Sequence, residues 1–349
     1  MRILLVIMII NCSCQSFSQN VALNEEAAKT FKASIDNHSL VGLGEEGHGY
    51  ESLNEAKSFL LEFLHQEFNF NSVIFESSFT ECVISYLNND SLNNRLRNFL
   101  YPFWNTISVQ NSLLNYYEKE KVSKQPLILA CDIQEDCRFN LLSGYLIKEN
   151  IIRSNKNKLN ECDSILSLYI GKNFSKKTPI SNDEFIRLSS NYNFISKELE
   201  DLKNIPDVKH KLLLRCLVNR ELLCYYLTIR DVNERMHYRD SLMADNVMWL
   251  KNEFLKNMNI VLWAANTHVS KQNSNDRPRW LGEWLTSSLK NQYYSISFQS
   301  QKRFSSNHDR FTENCSIKYP DDSHNRFDAI IYTDKKIKIK PQQWVTPCN

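Results

Sequence analysis

The chain has 349 residues, of which 23% are charged, and its formal net charge at pH 7 is +2. This length supports a substantial hydrophobic core, either as one large α/β domain or as one domain with an insert. Lys and Arg are spread along the chain and balanced by Asp and Glu, which argues against a nucleic-acid-binding surface.

The N-terminus has the features of an export signal. Met1-Arg2 precedes an apolar run from Ile3 to Ile10, which is too short to span a bilayer. Ser16-Phe17-Ser18 then fits the small-x-small pattern of a cleavage site. We therefore expect residues 1–18 to be a signal peptide and the mature protein to be periplasmic or secreted, in preference to a buried N-terminal strand.

The cysteines leave two kinds of modification open. Cys12 and Cys14 lie just past the apolar run, so either could carry a lipid anchor after cleavage. Eight other cysteines permit disulfides in an oxidising compartment without dictating their pairing. Cys216 and Cys224 lie in apolar helical surroundings, and we expect them to be buried thiols.

The first predicted strand, Ser39 to Leu43, leads into a glycine-rich stretch. Four of the seven glycines in the chain fall between Gly42 and Gly49. Glycine is used where the backbone takes φ > 0 or closely approaches another group, so this crowding predicts a tightly bent loop carrying two carboxylates and an imidazole. Apolar residues then recur at helical spacing, which predicts an amphipathic helix over residues 52–67.

The rest of the chain alternates strand and helix patterns until residue 136, where strand signals stop. The residues from about 136 to 238 are rich in Leu, Lys, Asn and Glu at helical spacing, and a further helix is predicted from Arg239 to Lys256. The polar segment 300–325 predicts a long loop. Apolar runs predict further strands at residues 72–76, 126–132, 259–265, 293–298 and 327–332.

This order predicts an α/β fold with a mostly parallel central sheet flanked by helices. We expect one domain from residue 20 to 349, with the helical insert at about 136–238 capping the carboxyl edge of the strands. The sequence shows no internal repeat, and it leaves the oligomeric state open.

Four predicted strands end on residues that suit hydrolysis. Glu45 and His48 follow the first strand, Glu76 ends the second, Asp132 ends the third and His268 follows the fourth. In a parallel sheet these ends lie along one edge. A neutral His can accept a proton from water, a carboxylate can orient that imidazole, and a second His or a backbone amide can stabilise an oxyanion. Asp132 could equally cap the following segment.

Five motifs in the same order resemble those of the erythromycin esterase family, which is grouped with succinoglycan-biosynthesis-like proteins. Together they extend from Val41 to His268, with a plausible tail to Tyr332. They are Gly44-Glu45-Glu46-Gly47-His48-Gly49, Val73-Ile74-Phe75-Glu76, Cys131-Asp132-Ile133-Gln134, Arg239-Asp240 with Met243-Ala244-Asp245-Asn246, and Leu262-Trp263-Ala264-Ala265-Asn266-Thr267-His268-Val269.

The resemblance implies a cofactor-free hydrolase that acts on a small-molecule ester or lactone without a serine nucleophile. It implies that His48 is the base that activates water, that Glu45 and Glu76 are essential acidic residues, and that His268 is a supporting imidazole. Antibiotic resistance is one expected role, because a macrolide lactone is the family's best-known substrate. The substrate-binding residues that we expect are Glu46, Lys57, Asp132, Arg239 and Asn266.

The chain departs from the family pattern at two positions. Ala265 stands where the family usually has the first His of its H-N-x-H motif, and Ser52 stands where a Glu commonly follows the H-G pair. The loss of one imidazole could reduce oxyanion stabilisation, change the substrate, or indicate a member with little esterase activity.

Two alternative functions stay open. His48, His268 and Glu76 could form a two-His, one-carboxylate site for a catalytic metal ion with an open position for water. The protein could also be a non-catalytic envelope protein that binds a ligand or assists biosynthesis, for which Ala265 is the main argument.

Overall fold

The computed structural model describes residues 25–118, 126–135, 140–170, 179–202, 205–271, 279–300, 309–312, 315–318 and 326–333. The predicted signal peptide, residues 1–18, and the candidate anchor residues Cys12 and Cys14 lie outside these ranges.

One eight-stranded sheet forms the centre of the described structure, in the order β3-β2-β4-β1-β5-β8-β7-β6. Strands β3, β2, β4, β1, β5 and β8 are parallel, and β7 and β6 add an antiparallel edge. The strands are β1 (Leu40–Glu45), β2 (Phe70–Ser78), β3 (Leu127–Asp132), β4 (Asn259–Ala265), β5 (Tyr293–Ser300), β6 (Asp309–Thr312), β7 (Cys315–Lys318) and β8 (Ala329–Thr333).

Helices cover the sheet, so the predicted α/β fold with a mostly parallel sheet is confirmed. Strand β1 is buried at every residue, and β2 and β3 are buried at all but one residue each, as expected when helices lie on both faces of a parallel sheet. The α-helices among the described residues are α1 (Glu25–Ile35), α2 (Glu51–Phe68), α3 (Phe79–Leu87), α4 (Leu92–Phe99), α5 (Ile107–Glu118), α6 (Leu141–Lys148), α7 (Lys156–Leu166), α8 (Asn182–Glu200), α9 (Asp207–Thr228), α10 (Val232–Trp249), α11 (Asn266–Val269) and α12 (Leu281–Leu289).

Helices α6 to α9, which we call the cap helices, follow β3 without an intervening strand in the described residues. The next helix, α10, reaches the carboxyl edge of the sheet, because Asn246 Nδ2 donates to the carbonyl of Cys131 at 2.8 Å. The predicted start of this helix at Arg239 was wrong. It begins at Val232, where the side chain of Asp231 accepts a hydrogen bond from Glu234 N at 2.8 Å. Residue 238, the predicted end of the insert, therefore lies inside α10.

The polar segment 300–325 was predicted as a long loop, and this prediction was wrong for two parts of it. Residues 309–312 and 315–318 form strands β6 and β7, which pair with each other and extend the sheet beyond β8. Short polar strands at a sheet edge carry little apolar signal, because few of their side chains need to face the core.

Gly42 lies within β1, in agreement with the predicted strand, whereas Gly44 also lies within β1 and not in a bent loop, which corrects the prediction. A Cβ on Gly42 would lie 2.6 Å from Tyr293 Oη, and one on Gly44 would lie 2.4 Å from Val269 Cγ2. These glycines therefore allow α11 and β5 to pack closely against β1. The bend begins after Glu45, where Gly49 has a positive φ of 78°.

Candidate active site

Three adjacent strands end side by side at the site. In the parallel pairing of β1 with β4, Glu45 lies opposite Ala265. Strand β2 pairs with the other side of β4, and the backbone N–H of Ala265 donates to Glu76 Oε2 at 3.0 Å. The sheet order thus brings Glu45 and Glu76, which are 31 residues apart in the sequence, to opposite sides of the same strand end.

Glu45 is the centre of the first cluster of polar side chains. It is buried at 2% exposure, and its Oε1 accepts hydrogen bonds from His48 Nδ1 and Trp104 Nε1, both at 2.9 Å. Its Oε2 accepts a hydrogen bond from the ammonium group of Lys57. Both carboxylate oxygens are therefore held, and the carboxylate cannot rotate without breaking one of these bonds.

His48 is held through one ring nitrogen and is partly exposed. An ionised carboxylate only accepts hydrogen bonds, so in the neutral imidazole the bond to Glu45 places the proton on Nδ1 and the lone pair on Nε2. The side chain is 36% exposed. One face of its ring stacks on Phe103, with 4.0 Å between ring centroids and 20° between the ring planes. The imidazole is thus oriented on one side and open on another.

Lys57 is fully buried and lies under this pair. Its Nζ also donates to the carbonyl of Ala264 at 3.2 Å and lies 4.4 Å from the centroid of the Trp263 ring. Burial lowers the pKa of Lys57 to about 8, although the neighbouring Glu45 raises it in part. We predicted that Lys57 binds the substrate, and that prediction stays untested, but a side chain with 0% exposure presents no surface to a ligand.

His268 lies between two carboxylates in the second cluster. Its Nδ1 is 2.8 Å from Asp240 Oδ2, and its Nε2 is 3.1 Å from Glu76 Oε1. Burial would lower the pKa of His268, but these two carboxylates outweigh it and raise the pKa to about 10. The imidazole is therefore protonated at neutral pH, with both N–H groups donated to carboxylates. Asp240 also accepts a hydrogen bond from Leu281 N at 2.9 Å.

Arg239 joins Glu76 to Asp132. Its Nη2 donates to Glu76 Oε1 at 2.9 Å, and its Nε lies 3.0 Å from both oxygens of Asp132. Burial alone would raise the pKa of Glu76, but the adjacent His268 and Arg239 cations hold it well below its usual range. Tyr101 Oη donates to Asp132 at 2.7 Å and completes this cluster.

The other two predicted substrate-binding residues, Glu46 and Asn266, also form hydrogen bonds within the protein. Glu46 Oε1 accepts hydrogen bonds from Ser300 N at 3.1 Å and Ser300 Oγ at 2.7 Å. The side-chain amide of Asn266, in the orientation that satisfies both its atoms, donates to Gly44 O at 2.9 Å and accepts from Glu46 N at 3.2 Å. These contacts lie at the ends of β1 and β5.

Four residues that take part in these clusters had no functional role predicted from the sequence. Tyr101, Phe103 and Trp104 lie in the segment after α4, and Asp240 is a buried residue of α10. The Pro102-Phe103-Trp104 sequence predicts only a break in the helical pattern. A Trp has an N–H that needs an acceptor when it is buried, but nothing in the sequence identified Trp104 as buried or Glu45 as its acceptor.

The side chains of the two clusters do not offer the ligands that a metal ion needs. The described residues contain no group of three or more His, Cys, Asp or Glu side chains arranged to hold a metal ion. In the proposed two-His, one-carboxylate set, the protonated His268 offers no lone pair, and Glu76 already accepts bonds from His268, Arg239 and Ala265 N. These residues, as arranged, do not fit a metal site.

The fold and the clusters define an α/β protein with a carboxylate-held histidine at the carboxyl edge of its parallel sheet. Residues 187–333 match the family model described as erythromycin esterase. The match includes Arg239, Asp240 and His268, whereas Glu45, His48 and Glu76 precede it.

Similar proteins agree with this match. YbfO of Bacillus subtilis (strain 168), a presumed hydrolase by its name, is 28% identical over an alignment of 303 residues, and the match covers 76% of this chain. The chain spans 65% of that relative's length.

Solved structures of low sequence identity share the fold. A succinoglycan biosynthesis protein has a TM-score of 0.67 at 18% identity, with 90% of this chain and 93% of that one covered. A Bacillus cereus protein has a TM-score of 0.66 at 17% identity, with 88% of this chain and 91% of that one covered. A mutant erythromycin esterase in its open conformation has a TM-score of 0.65 at 16% identity, with 91% of this chain and 97% of that one covered. The predicted resemblance to the erythromycin esterase family is confirmed.

Proposed function

We propose that this protein is a hydrolase in which His48 acts as a general base and activates water for attack on the carbonyl of a small-molecule ester or lactone. The observation that carries the proposal is the His48 imidazole, which is held through Nδ1 by Glu45, is 36% exposed and forms no hydrogen bond through Nε2 to the described residues. The similarity to the erythromycin esterase family supports the reaction class.

In this mechanism, His48 Nε2 accepts a proton from water as the water oxygen forms a bond to the carbonyl carbon. Glu45 stabilises the imidazolium that results and keeps its ring in place. The tetrahedral intermediate then collapses, the bond from carbon to the alcohol oxygen breaks, and His48 returns the proton to the departing oxygen. The products are a carboxylic acid and an alcohol, which remain in one molecule when the substrate is a lactone.

His268 has a different part in this proposal from that of His48. Both of its ring nitrogens donate to carboxylates, so it acts through Glu76 and not by touching the substrate. Together with Arg239 it keeps Glu76 ionised at the edge of the site. This arrangement supplies fixed charges beside the reacting groups without reorganisation during the reaction.

The test is turnover of a mixed panel of aryl esters, aliphatic lactones and macrolides by the full chain, each with and without a chelator. His48→Gln should lower kcat by about 10²–10⁴-fold, because a general base contributes about that much. The matched control is His210→Gln, since His210 lies on α9 in the cap helices and its ring hydrogen-bonds to the carbonyl of Leu199.

The outcomes separate the alternatives. Turnover that disappears in His48→Gln, persists in His210→Gln and is unaffected by the chelator supports the proposal. Activity that the chelator removes and zinc or manganese restores supports a metal-dependent hydrolase. A panel compound that raises Tm without forming product supports a non-catalytic binding protein.

We also propose that the protein is exported, on the basis of its N-terminal sequence pattern alone. Expression of the full chain followed by cell fractionation and mass spectrometry of the mature N-terminus tests this. Cleavage near Gln19 supports a simple signal peptide, and a lipid-modified N-terminal Cys12 or Cys14 supports an anchor. An intact N-terminus in the cytoplasm would contradict export.

A further inference from the structure

We propose that Trp104 is a positioning residue for the Glu45–His48 pair. This inference rests on the proposed function, in which His48 is the base. Trp104 Nε1 donates to Glu45 Oε1 at 2.9 Å, and the same oxygen accepts the hydrogen bond from His48 Nδ1. The indole therefore fixes the oxygen on which the orientation and tautomer of His48 depend.

The contact is made within a closed environment. Trp104 and Lys57 are fully buried and Glu45 is 2% exposed, so water does not compete for these hydrogen bonds. Lys57 holds Oε2 and Trp104 holds Oε1, which leaves the carboxylate one orientation. A hydrogen bond to a charged group in such a site is stronger than one between neutral groups.

The segment that carries Trp104 is anchored to the ends of two strands. Tyr101 N donates to Ser77 Oγ at 3.1 Å, and Tyr101 Oη donates to Asp132 at 2.7 Å, so the segment is attached to β2 and β3. Trp104 N then donates to the carbonyl of Tyr101 at 2.9 Å and closes a turn. The indole is thus delivered to Glu45 from a fixed backbone.

The same turn also restrains the imidazole directly. Phe103 stacks on the His48 ring, and the Trp104 ring meets it edge-on, with 5.4 Å between ring centroids and 90° between the ring planes. Two successive aromatic residues therefore fix the plane of the His48 ring, and Trp104 in addition fixes its carboxylate partner. Positioning of this kind affects kcat more than it affects substrate binding.

The test substitutes Trp104→Phe, which keeps an aromatic ring and removes the N–H. The structure offers a matched control in Trp263→Phe. Trp263 is also fully buried and also lies beside Lys57, but its Nε1 has no hydrogen-bond partner among the described residues. Both variants remove an indole N–H. The N–H removed in Trp104→Phe donates to Glu45, whereas the N–H removed in Trp263→Phe has no acceptor among the described residues.

We expect Trp104→Phe to lower kcat about ten- to hundredfold, with KM changed by less than about threefold, because the lost bond is one to a charged group. Trp263→Phe should keep kcat within about threefold of the unmodified protein. Nitrogen-15 NMR of His48 provides a readout that is independent of turnover. The unmodified protein should carry the proton on Nδ1, and Trp104→Phe should show a mixture of the two tautomers.

The proposal would be overturned if Trp104→Phe matched Trp263→Phe in both kcat and the His48 tautomer. If Trp104→Phe fails to fold, the unmodified protein still decides the question. The indole N–H resonance of Trp104 should lie downfield of that of Trp263 and exchange more slowly, and equal shifts and exchange rates would refute the hydrogen bond. If the unmodified protein hydrolyses no panel compound, the proposed function fails, whereas the NMR comparison still tests the positioning role.

Discussion

At the scale of single residues, Lys57 is a buried cation whose main partner is the carboxylate that orients His48. A buried charge is tolerated when it is paired and hydrogen-bonded, and Lys57 meets both conditions through Glu45 and the carbonyl of Ala264. Its pKa of about 8 shows how strongly burial opposes its charge. We infer that its role is to neutralise Glu45 and to hold Oε2.

Replacing Lys57 with Met should therefore destabilise the protein by about 3–5 kcal/mol, because it leaves the Glu45 carboxylate buried without its cation. Chemical denaturation of Lys57→Met, Glu45→Gln and the double variant would measure this. The double variant should lose less than the sum of the single losses, since neither charge is then left alone. Additive losses would show that the two residues do not stabilise each other.

At the scale of secondary-structure elements, the cap helices are attached to the sheet by the short segment that follows β3. Glu135, three residues beyond Asp132, accepts a hydrogen bond from Arg220 of α9. Arg220 is fully buried and also donates to Asp163 of α7 at 3.4 Å. Gln134 donates to the Oη of Tyr226, which lies six residues after Arg220 on α9. The strand end that carries Asp132 is thus tied to two cap helices.

Arg220→Met should destabilise the protein by about 3–5 kcal/mol, because it leaves Glu135 buried and unpaired. The matched control is Arg187→Met on α8, whose side chain is 55% exposed and lies 3.5 Å from Glu161. This surface pair should contribute less than about 1 kcal/mol.

Adding Glu135→Leu to Arg220→Met should recover much of the lost stability, since an apolar pair can replace a buried ion pair. All of these variants can be compared by urea denaturation. Equal effects of Arg220→Met and Arg187→Met would contradict the inferred attachment.

At the scale of the whole molecule, the site concentrates buried charge in a protein whose net charge is only +2. His268 has a pKa of about 10 in the folded state, above its ordinary value of 6.5. A raised pKa means that the folded state binds the proton more tightly than the unfolded state. His268 therefore contributes stability that is fully present below about pH 6.5 and is lost as the pH rises through about 10.

Lys57 acts in the opposite direction. Its folded-state pKa of about 8 lies below its ordinary 10.5, so the unfolded state binds more protons between these values and stability rises with pH there. The effect of His268 is therefore measured as the difference in the free energy of unfolding between the unmodified protein and a His268 variant, because Lys57 is present in both and its effect cancels.

The free energy of unfolding of the unmodified protein should exceed that of His268→Gln by about 3 kcal/mol or more at pH 6.5, because the variant leaves Asp240 and Glu76 without this cation. Between pH 6.5 and pH 10.5 the difference should narrow by more than about 1 kcal/mol as His268 loses its proton. Denaturation at both pH values measures it. A constant difference would show that His268 is not charged in the folded protein.

None of the helices in the described part of the chain could span a membrane, because each of them is too short or too polar to cross a bilayer.

The five free thiols among the described residues are all buried, in agreement with the expectation for Cys216 and Cys224. Burial raises the pKa of both of these thiols.

The sequence by itself determined the local patterns and much of the site. Apolar runs marked the central strands, and the boundaries of β4 agree with the predicted strand 259–265 because the apolar run there is clearly bounded. The edge strands β6 and β7 and the early start of α10 were missed, since polar strands and exposed helix turns carry weak apolar signals. The glycine stretch was identified, but its glycines allow close packing against α11 and β5 as well as a bend.

Only the tertiary structure decided the partners of each charged group. It brought Glu45 to His48, Lys57 and Trp104, and it placed His268 between the carboxylates of Asp240 and Glu76. These contacts join residues up to 192 positions apart along the chain, as between Glu76 and His268. Local sequence fixes which side chains a strand end carries, whereas the order of the strands and the depth of burial fix which of them meet and which stay charged.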